Sequence, residues 1–77
     1  MTHRMIDLAA TGKHIKELCN ARGIRPDMLA KEMGFASVTA IYKWFEGGSL
    51  PQVDNLFILA DIFGITVDEL IVRRNVK

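Results

Sequence analysis

Apolar residues recur along the chain at intervals of three and four, and glycines break the pattern at Gly12, Gly23, Gly34, Gly47, Gly48 and Gly64. That periodicity is helical, strand-type alternation is nowhere sustained, and the glycines read as helix ends. Thr11 reads as the N-cap of a first helix reaching Arg22, with Ile15, Leu18, Cys19 and Arg22 at helical spacing and Gly23 at the left-handed C-cap position. Pro26 fits the first turn of a second helix, where its missing N–H costs nothing, and Asp27 suits a positive helix start. Leu29, Ala30 and Met33 form its inner stripe up to Gly34. Ser37 reads as the N-cap of a third helix that Gly47-Gly48 ends. Its inner face carries Ala40, Ile41 and Trp44, and its outer face Thr39, Tyr42, Lys43 and Glu46.

Beyond Leu50-Pro51 a fourth helix is predicted from Val53 to Phe63, closed by Gly64. Val53, Leu56, Phe57, Leu59, Ala60 and Phe63 supply its apolar face, which Ile58 and Ile62 widen. Thr66-Val67-Asp68-Glu69 matches a capping box and opens a last helix with Leu70 and Ile71. The expected architecture is all-α: five short helices in one domain over 11–72, a flexible lead-in over 1–10 and a basic tail over 73–77.

Length and composition narrow the classes. Seventy-seven residues make one small domain, and 49% hydrophobic with 25% charged residues is the balance of a globular chain, not a disordered one. A domain this short buries only about 60% of its unfolded surface, which favours a partner subunit. The single cysteine, Cys19, sits on the apolar stripe of the first helix and reads as a buried, inert thiol. There is no CxxC and no Cys/His ligand spacing, so neither a metal nor a disulfide framework is expected, and a reducing cytoplasm is the expected setting. No apolar run has the length of a membrane span, and the start lacks a signal-peptide core. His3 and His14 have no neighbouring ligand pattern, and Asp68 and Glu69 point to different sides of a helix as cap and dipole residues. With no nucleophile or phosphate-loop signature either, an enzyme is not expected and no cofactor is implied.

The second and third helices, joined through Gly34-Phe35-Ala36, have the layout of a helix-turn-helix. Ala30 is small where the two helices approach, Gly34 permits positive φ in the turn, and Ile41 with Trp44 anchors the third helix. Ser37, Val38, Thr39, Tyr42 and Lys43 are then presented outward, as a major-groove reader requires. The formal net charge of +1 understates the basic field, because charge is unevenly distributed. Lys13, Lys16, Arg22, Arg25, Lys31 and Lys43 precede residue 47, against Glu17, Asp27, Glu32 and Glu46 in 11–46. The stretch from Gly47 to Leu70 carries only Asp54, Asp61, Asp68 and Glu69. Local field, not the total, steers nucleic acid. Arg73, Arg74 and Lys77 could touch DNA only by folding back.

The ordered set Leu-Ala-x-x-Met-Gly at 29–34, Ala-Ile-Tyr-Lys-Trp at 40–44, Leu-Pro at 50–51, Asp-Asn-Leu at 54–56 and Gly-Ile-Thr-Val-Asp-Glu-Leu at 64–70 resembles the phage-repressor/Cro (Xre-type, lambda-repressor-like) helix-turn-helix family from Thr11 to Val72. The resemblance implies a five-helix fold, sequence-specific binding of double-stranded DNA as a transcriptional regulator, and a two-fold dimer on a palindromic site. It also exposes departures. Where the family often opens the second helix with Thr-Gln to hold a phosphate, this chain has Arg25-Pro26; proline offers no amide hydrogen, so charge on Arg25 takes that part. The turn before Ser37 is one residue longer than usual, which shifts the start of the reading helix. After Trp44 the chain reads Phe45-Glu46-Gly47-Gly48-Ser49, leaving phosphate contacts to backbone N–H groups and Ser49.

The DNA-contact set expected from this reading is Arg25, Ser37, Val38, Thr39, Tyr42, Lys43 and Ser49. One short helix with a single lysine on its reading face does not supply the affinity of specific binding, so a homodimer is expected. Ile58, Ile62, Ile71 and Val72 either form its interface or widen the core of the single domain. A second class stays open: an antitoxin-like or adaptor module that binds protein on the same scaffold, favoured by Pro26, Phe45 and Glu46.

Overall fold

The computed structural model describes residues 3–76. Its order is β1 (His3–Ile6), α1 (Leu8–Ala21), α2 (Pro26–Glu32), α3 (Thr39–Phe45), α4 (Val53–Phe63), α5 (Val67–Leu70) and β2 (Arg73–Val76). The five helices appear where the apolar periodicity puts them, and Pro26 stands in the first turn of α2. Gly34 adopts φ of +77° and closes α2, its N–H donating to the Lys31 carbonyl and that of Phe35 to the Ala30 carbonyl. The same pair of reversed hydrogen bonds ends α1, α3 and α4, so glycine punctuation defines four helix ends. The capping box of α5 is complete: Thr66 Oγ1 accepts from the Glu69 N–H at 3.1 Å, and Glu69 Oε1 accepts from the Thr66 N–H at 3.0 Å.

The N-terminal half of α1 departs from expectation. Asp7, not Thr11, caps the helix, accepting from the Ala10 N–H at 2.9 Å. The helix therefore starts three residues before Thr11, and Thr11 is buried inside it. Its hydroxyl accepts from the Val72 N–H at 3.0 Å and donates to the Val72 carbonyl at 3.3 Å, which fastens the end of the domain to its beginning. Gly12 is likewise no helix end. It lies buried in α1 against the α3 backbone, where a Cβ would overlap the carbonyl oxygen of Trp44. Glycine is needed there for close approach of two helices, the role composition alone hides among turn residues.

The lead-in over 1–10 and the tail over 73–77, expected without regular structure, pair with each other over 3–6 and 73–76, and 8–10 join α1. β1 and β2 form an antiparallel two-stranded sheet with His3 opposite Val76, Arg4 opposite Asn75, Met5 opposite Arg74 and Ile6 opposite Arg73. The basic tail does fold back, onto β1, and Arg73 forms an ion pair with Asp68; Lys77 lies outside the described residues.

The core is built from Ile15 and Cys19 of α1, Leu29 and Ala30 of α2, Ile41 and Trp44 of α3, Leu56, Leu59 and Phe63 of α4 and Leu70 of α5. Burial pushes the Cys19 thiol above its ordinary pKa, the behaviour of an inert core cysteine. Two expected members of the α4 face do not join it: Val53 and Phe57 are 66% and 60% exposed. The apolar stripe is narrower than the sequence suggests because α4 packs mainly through Leu56, Leu59, Ala60 and Phe63. Arg22, placed by spacing on the inner stripe of α1, instead donates from Nη2 to the Phe63 carbonyl at 2.8 Å and lies over the Phe63 ring, 5.6 Å from its centre. A cation thus meets the carbonyl end of α4. Among the described residues no helix is long and apolar enough to cross a membrane.

Candidate nucleic-acid interface

α3 has two unlike sides because its seven residues put Ile41 and Trp44 three positions apart, on one face. Ile41 is wholly buried and Trp44 nearly so, with Phe35 and the indole in a T-shaped pair at 5.8 Å between ring centres. The opposite side carries Thr39, Tyr42 and Lys43, all exposed. Tyr42 leans along the helix toward Phe45, the rings edge to face at 6.1 Å.

The start of α3 differs in detail from the sequence reading. Val38 occupies the cap position, so Ser37 stands one residue before it. The Ser37 hydroxyl accepts from the Thr39 N–H at 3.4 Å and donates to Thr39 Oγ1 at 3.2 Å. Ser37 therefore braces the turn without being the N-cap, a shift that follows from the six-residue connection between Glu32 and Thr39. Val38 is half-buried and packs against the core, so it is less outward than expected. Arg25 caps α2 with its backbone, is exposed, and holds Nε 3.4 Å from Asp27 Oδ1. Ser49 is half-buried in the loop between α3 and α4.

Two shallow grooves flank the motif. One, of about 360 Å³, runs between α1 and α3 and brings Tyr42, Phe45 and Glu46 together with Lys16, Asn20 and Pro26. The other, of about 460 Å³, gathers Ser37 and Val38 with Asp27, Lys31 and the Gly34 turn. Lys16 and Lys31 are cations of these grooves, members of the basic field that lie outside the expected contact set. Lys16 lies one turn before Cys19 and Lys31 one turn after Asp27, the spacing by which each could have been placed beside the motif. Of the candidate dimer residues, Ile58 is exposed, whereas Ile62 and Ile71 pack against the core and Val72 is half-buried, held at its backbone by Thr11.

A family model for helix-turn-helix proteins matches residues 15–70, the segment from the middle of α1 to the end of α5. The chain belongs to the helix-turn-helix family. Its members are DNA-binding transcriptional regulators, and the Xre, lambda-repressor-like resemblance of the sequence is borne out with the fold. The chain is 30% identical over 57 residues to the HTH-type transcriptional activator BcrR of Enterococcus faecalis, a match covering 74% of this chain and 28% of that protein. The chain thus spans little more than a quarter of that relative. Among solved structures it is similar to the restriction-modification controller protein C.AhdI from Aeromonas hydrophila, with a TM-score of 0.74 and 26% identity over 83% of this chain and 96% of that one. The S. venezulae BldD DNA-binding domain superposes with a TM-score of 0.71 at 18% identity, covering 86% of this chain and 97% of that one, and supports the fold alone.

Proposed function

We propose that the protein is a sequence-specific transcriptional regulator that binds double-stranded DNA as a homodimer, with α3 in the major groove. The observation that carries this reading is the two-sidedness of α3: Ile41 and Trp44 fix it to the core while Thr39, Tyr42 and Lys43 stay exposed. A helix held rigidly by one face can enter a groove with the other. In this reading Thr39 meets base edges at the helix start, Lys43 meets phosphate or a base acceptor, and Tyr42 covers a sugar or base edge. Val38 offers the part of its surface that packing leaves free. Ser37, Arg25 and Ser49 position the backbone, Arg25 by charge because Pro26 has no amide hydrogen. Two copies on two half-sites about 34 Å apart supply the affinity that one short helix lacks. Regulation then follows by occlusion of a promoter or recruitment to it.

The test is selection from a randomised duplex pool, read by fluorescence anisotropy at several salt concentrations with the bound DNA sequenced. Enrichment of a two-fold motif with steep salt dependence supports the reading; no binding by folded protein even at low salt overturns it. One observation favours a second reading, an antitoxin-like or adaptor module: the groove beside α3 has Pro26, Ile24 and Phe45 among its walls, an apolar surface suited to a protein segment. Loss of DNA binding together with capture of a defined protein partner would select it.

A further inference from the structure

β1 and β2 pack chiefly on each other, and among the described residues their sheet has no third strand. A two-stranded ribbon is marginal by itself in water, and each of its strands presents one unpaired edge. We infer that a second copy of the chain completes the ribbon, β1 pairing with β1 of the partner about a two-fold axis to give a continuous four-stranded antiparallel sheet, β2-β1-β1-β2. The inference deepens the homodimer reading by naming its contact, and it rests on that reading only for the number of subunits.

The ladder decides the register. The Asp7 N–H donates to the Val72 carbonyl at 2.8 Å, one bond past the end of the ladder that puts 7 and 72 at a hydrogen-bonded position, while the Val72 N–H goes to Thr11. Antiparallel pairs alternate, so Met5 bonds inward to Arg74, while the N–H and C=O groups of positions 4 and 6 face the open edge. A symmetric partner must join outward positions to outward positions. The register that uses all of them sets 4 opposite 6, 6 opposite 4, and Met5 opposite Met5 on the axis.

Charge then selects β1 over β2. Applied to β2, the same argument leaves 73 and 75 outward and puts Arg74 opposite Arg74, a like-charge pair that destabilises a sheet. The β2 edge is thus guarded by its own arginines, in the way natural edge strands avoid pairing. The β1 edge brings two apolar residues instead: Met5 is 49% exposed and Ile6 38%, and the exposed Leu8 follows at the start of α1. On the joined sheet Met5 and Met5 form an apolar centre with an Arg74 on either side, the cross-strand neighbour of each. Pairing of β1 with β2 of another copy would be head-to-tail and open-ended, whereas β1 with β1 closes as a dimer.

The test needs no DNA, so failure of this contact and failure of DNA binding are read separately. Met5→Cys places two thiols directly opposite at a non-hydrogen-bonded pair, a spacing within disulfide range. Mild oxidation is expected to yield a covalent dimer on a non-reducing gel, while Arg74→Cys, on the axis of the rejected pairing, stays monomeric. Ile6→Pro removes an outward N–H and leaves the inward bonds. It is expected to raise the concentration for half-association in sedimentation velocity by about tenfold or more, with helical circular dichroism unchanged. Ile58→Lys, on the exposed side of α4, is expected to leave association intact. The inference is overturned if the native chain is monomeric at its highest soluble concentration, if it forms an open series of larger species, if Arg74→Cys cross-links and Met5→Cys does not, or if Ile58→Lys alone abolishes the dimer.

Discussion

The two faces of α3 obey different rules. On the inner face every residue is fixed by neighbours: Ile41 is wholly buried, Trp44 rests against Phe35, and the backbone beside Trp44 is approached by Gly12 so closely that no side chain fits between. On the outer face Thr39, Tyr42 and Lys43 stand in solvent, and apart from the braces of Thr39 to Ser37 and Tyr42 to Phe45 nothing in the fold dictates them. Stability therefore sits on one side of a seven-residue helix, and the proposed function puts recognition on the other. Substitutions on the inner side should unfold the domain, and substitutions on the outer side should leave a folded protein that binds differently.

The largest effect is expected from Gly12→Val, which drives a branched side chain into the Trp44 carbonyl and separates α1 from α3. Loss of cooperative thermal unfolding by circular dichroism is the expected result; a native-like melt would refute the close approach. Next comes Trp44→Ala, costing about 3–5 kcal/mol. That is a large part of the roughly 4–12 kcal/mol a domain of this length has, so the urea midpoint should collapse. These two substitutions would break the comparison if they spared the fold while changing DNA affinity.

A smaller effect sharpens it, because an exposed residue matters to the fold where it has a hydrogen-bonded partner. Thr66→Ala should cost about 1 kcal/mol through the lost cap of α5. The Glu69 carboxyl is held below its ordinary 4.5 by the Thr66 backbone N–H and then by the Thr66 hydroxyl. A lowered folded-state value means the contribution is present above the unfolded pKa and is lost as pH falls through the folded one. Thr66→Ala keeps the backbone N–H, so its acid limb should flatten only in part, whereas Glu69→Gln removes the titrating group; an unchanged limb in Glu69→Gln would remove Glu69 from the cap. Lys43→Ala, with no such partner, should change stability by no more than about 0.5 kcal/mol.

The same contrast explains what could be read in the chain. α2, α4 and the capping box of α5 were legible because their signals are local: a proline, an apolar stripe, and a threonine three residues before a glutamate. So was the inner face of α3, since Ile41 and Trp44 share a helical face. The ribbon was not, because His-Arg-Met-Ile and Arg-Arg-Asn-Val lack alternation and pair only through a contact spanning the whole chain. Gly12 and Thr11 escape the sequence pattern for a related reason: each answers a distant group, the Trp44 backbone or Val72, that spacing does not reveal. At the site, spacing gave the exposure of Thr39, Tyr42 and Lys43, while the cap at Val38 and its packing depended on how a six-residue turn settles.

The central claim, that the outer face of α3 reads DNA, is tested most directly by titrating the native chain, Lys43→Ala and Thr39→Ala against a selected duplex and its base-pair variants across a range of salt. If the claim holds, Lys43→Ala weakens binding to every duplex and lowers the salt slope by about 1, while Thr39→Ala reorders the variants with the slope unchanged. Identical affinities, rankings and slopes for all three folded proteins would contradict it and move recognition to another surface.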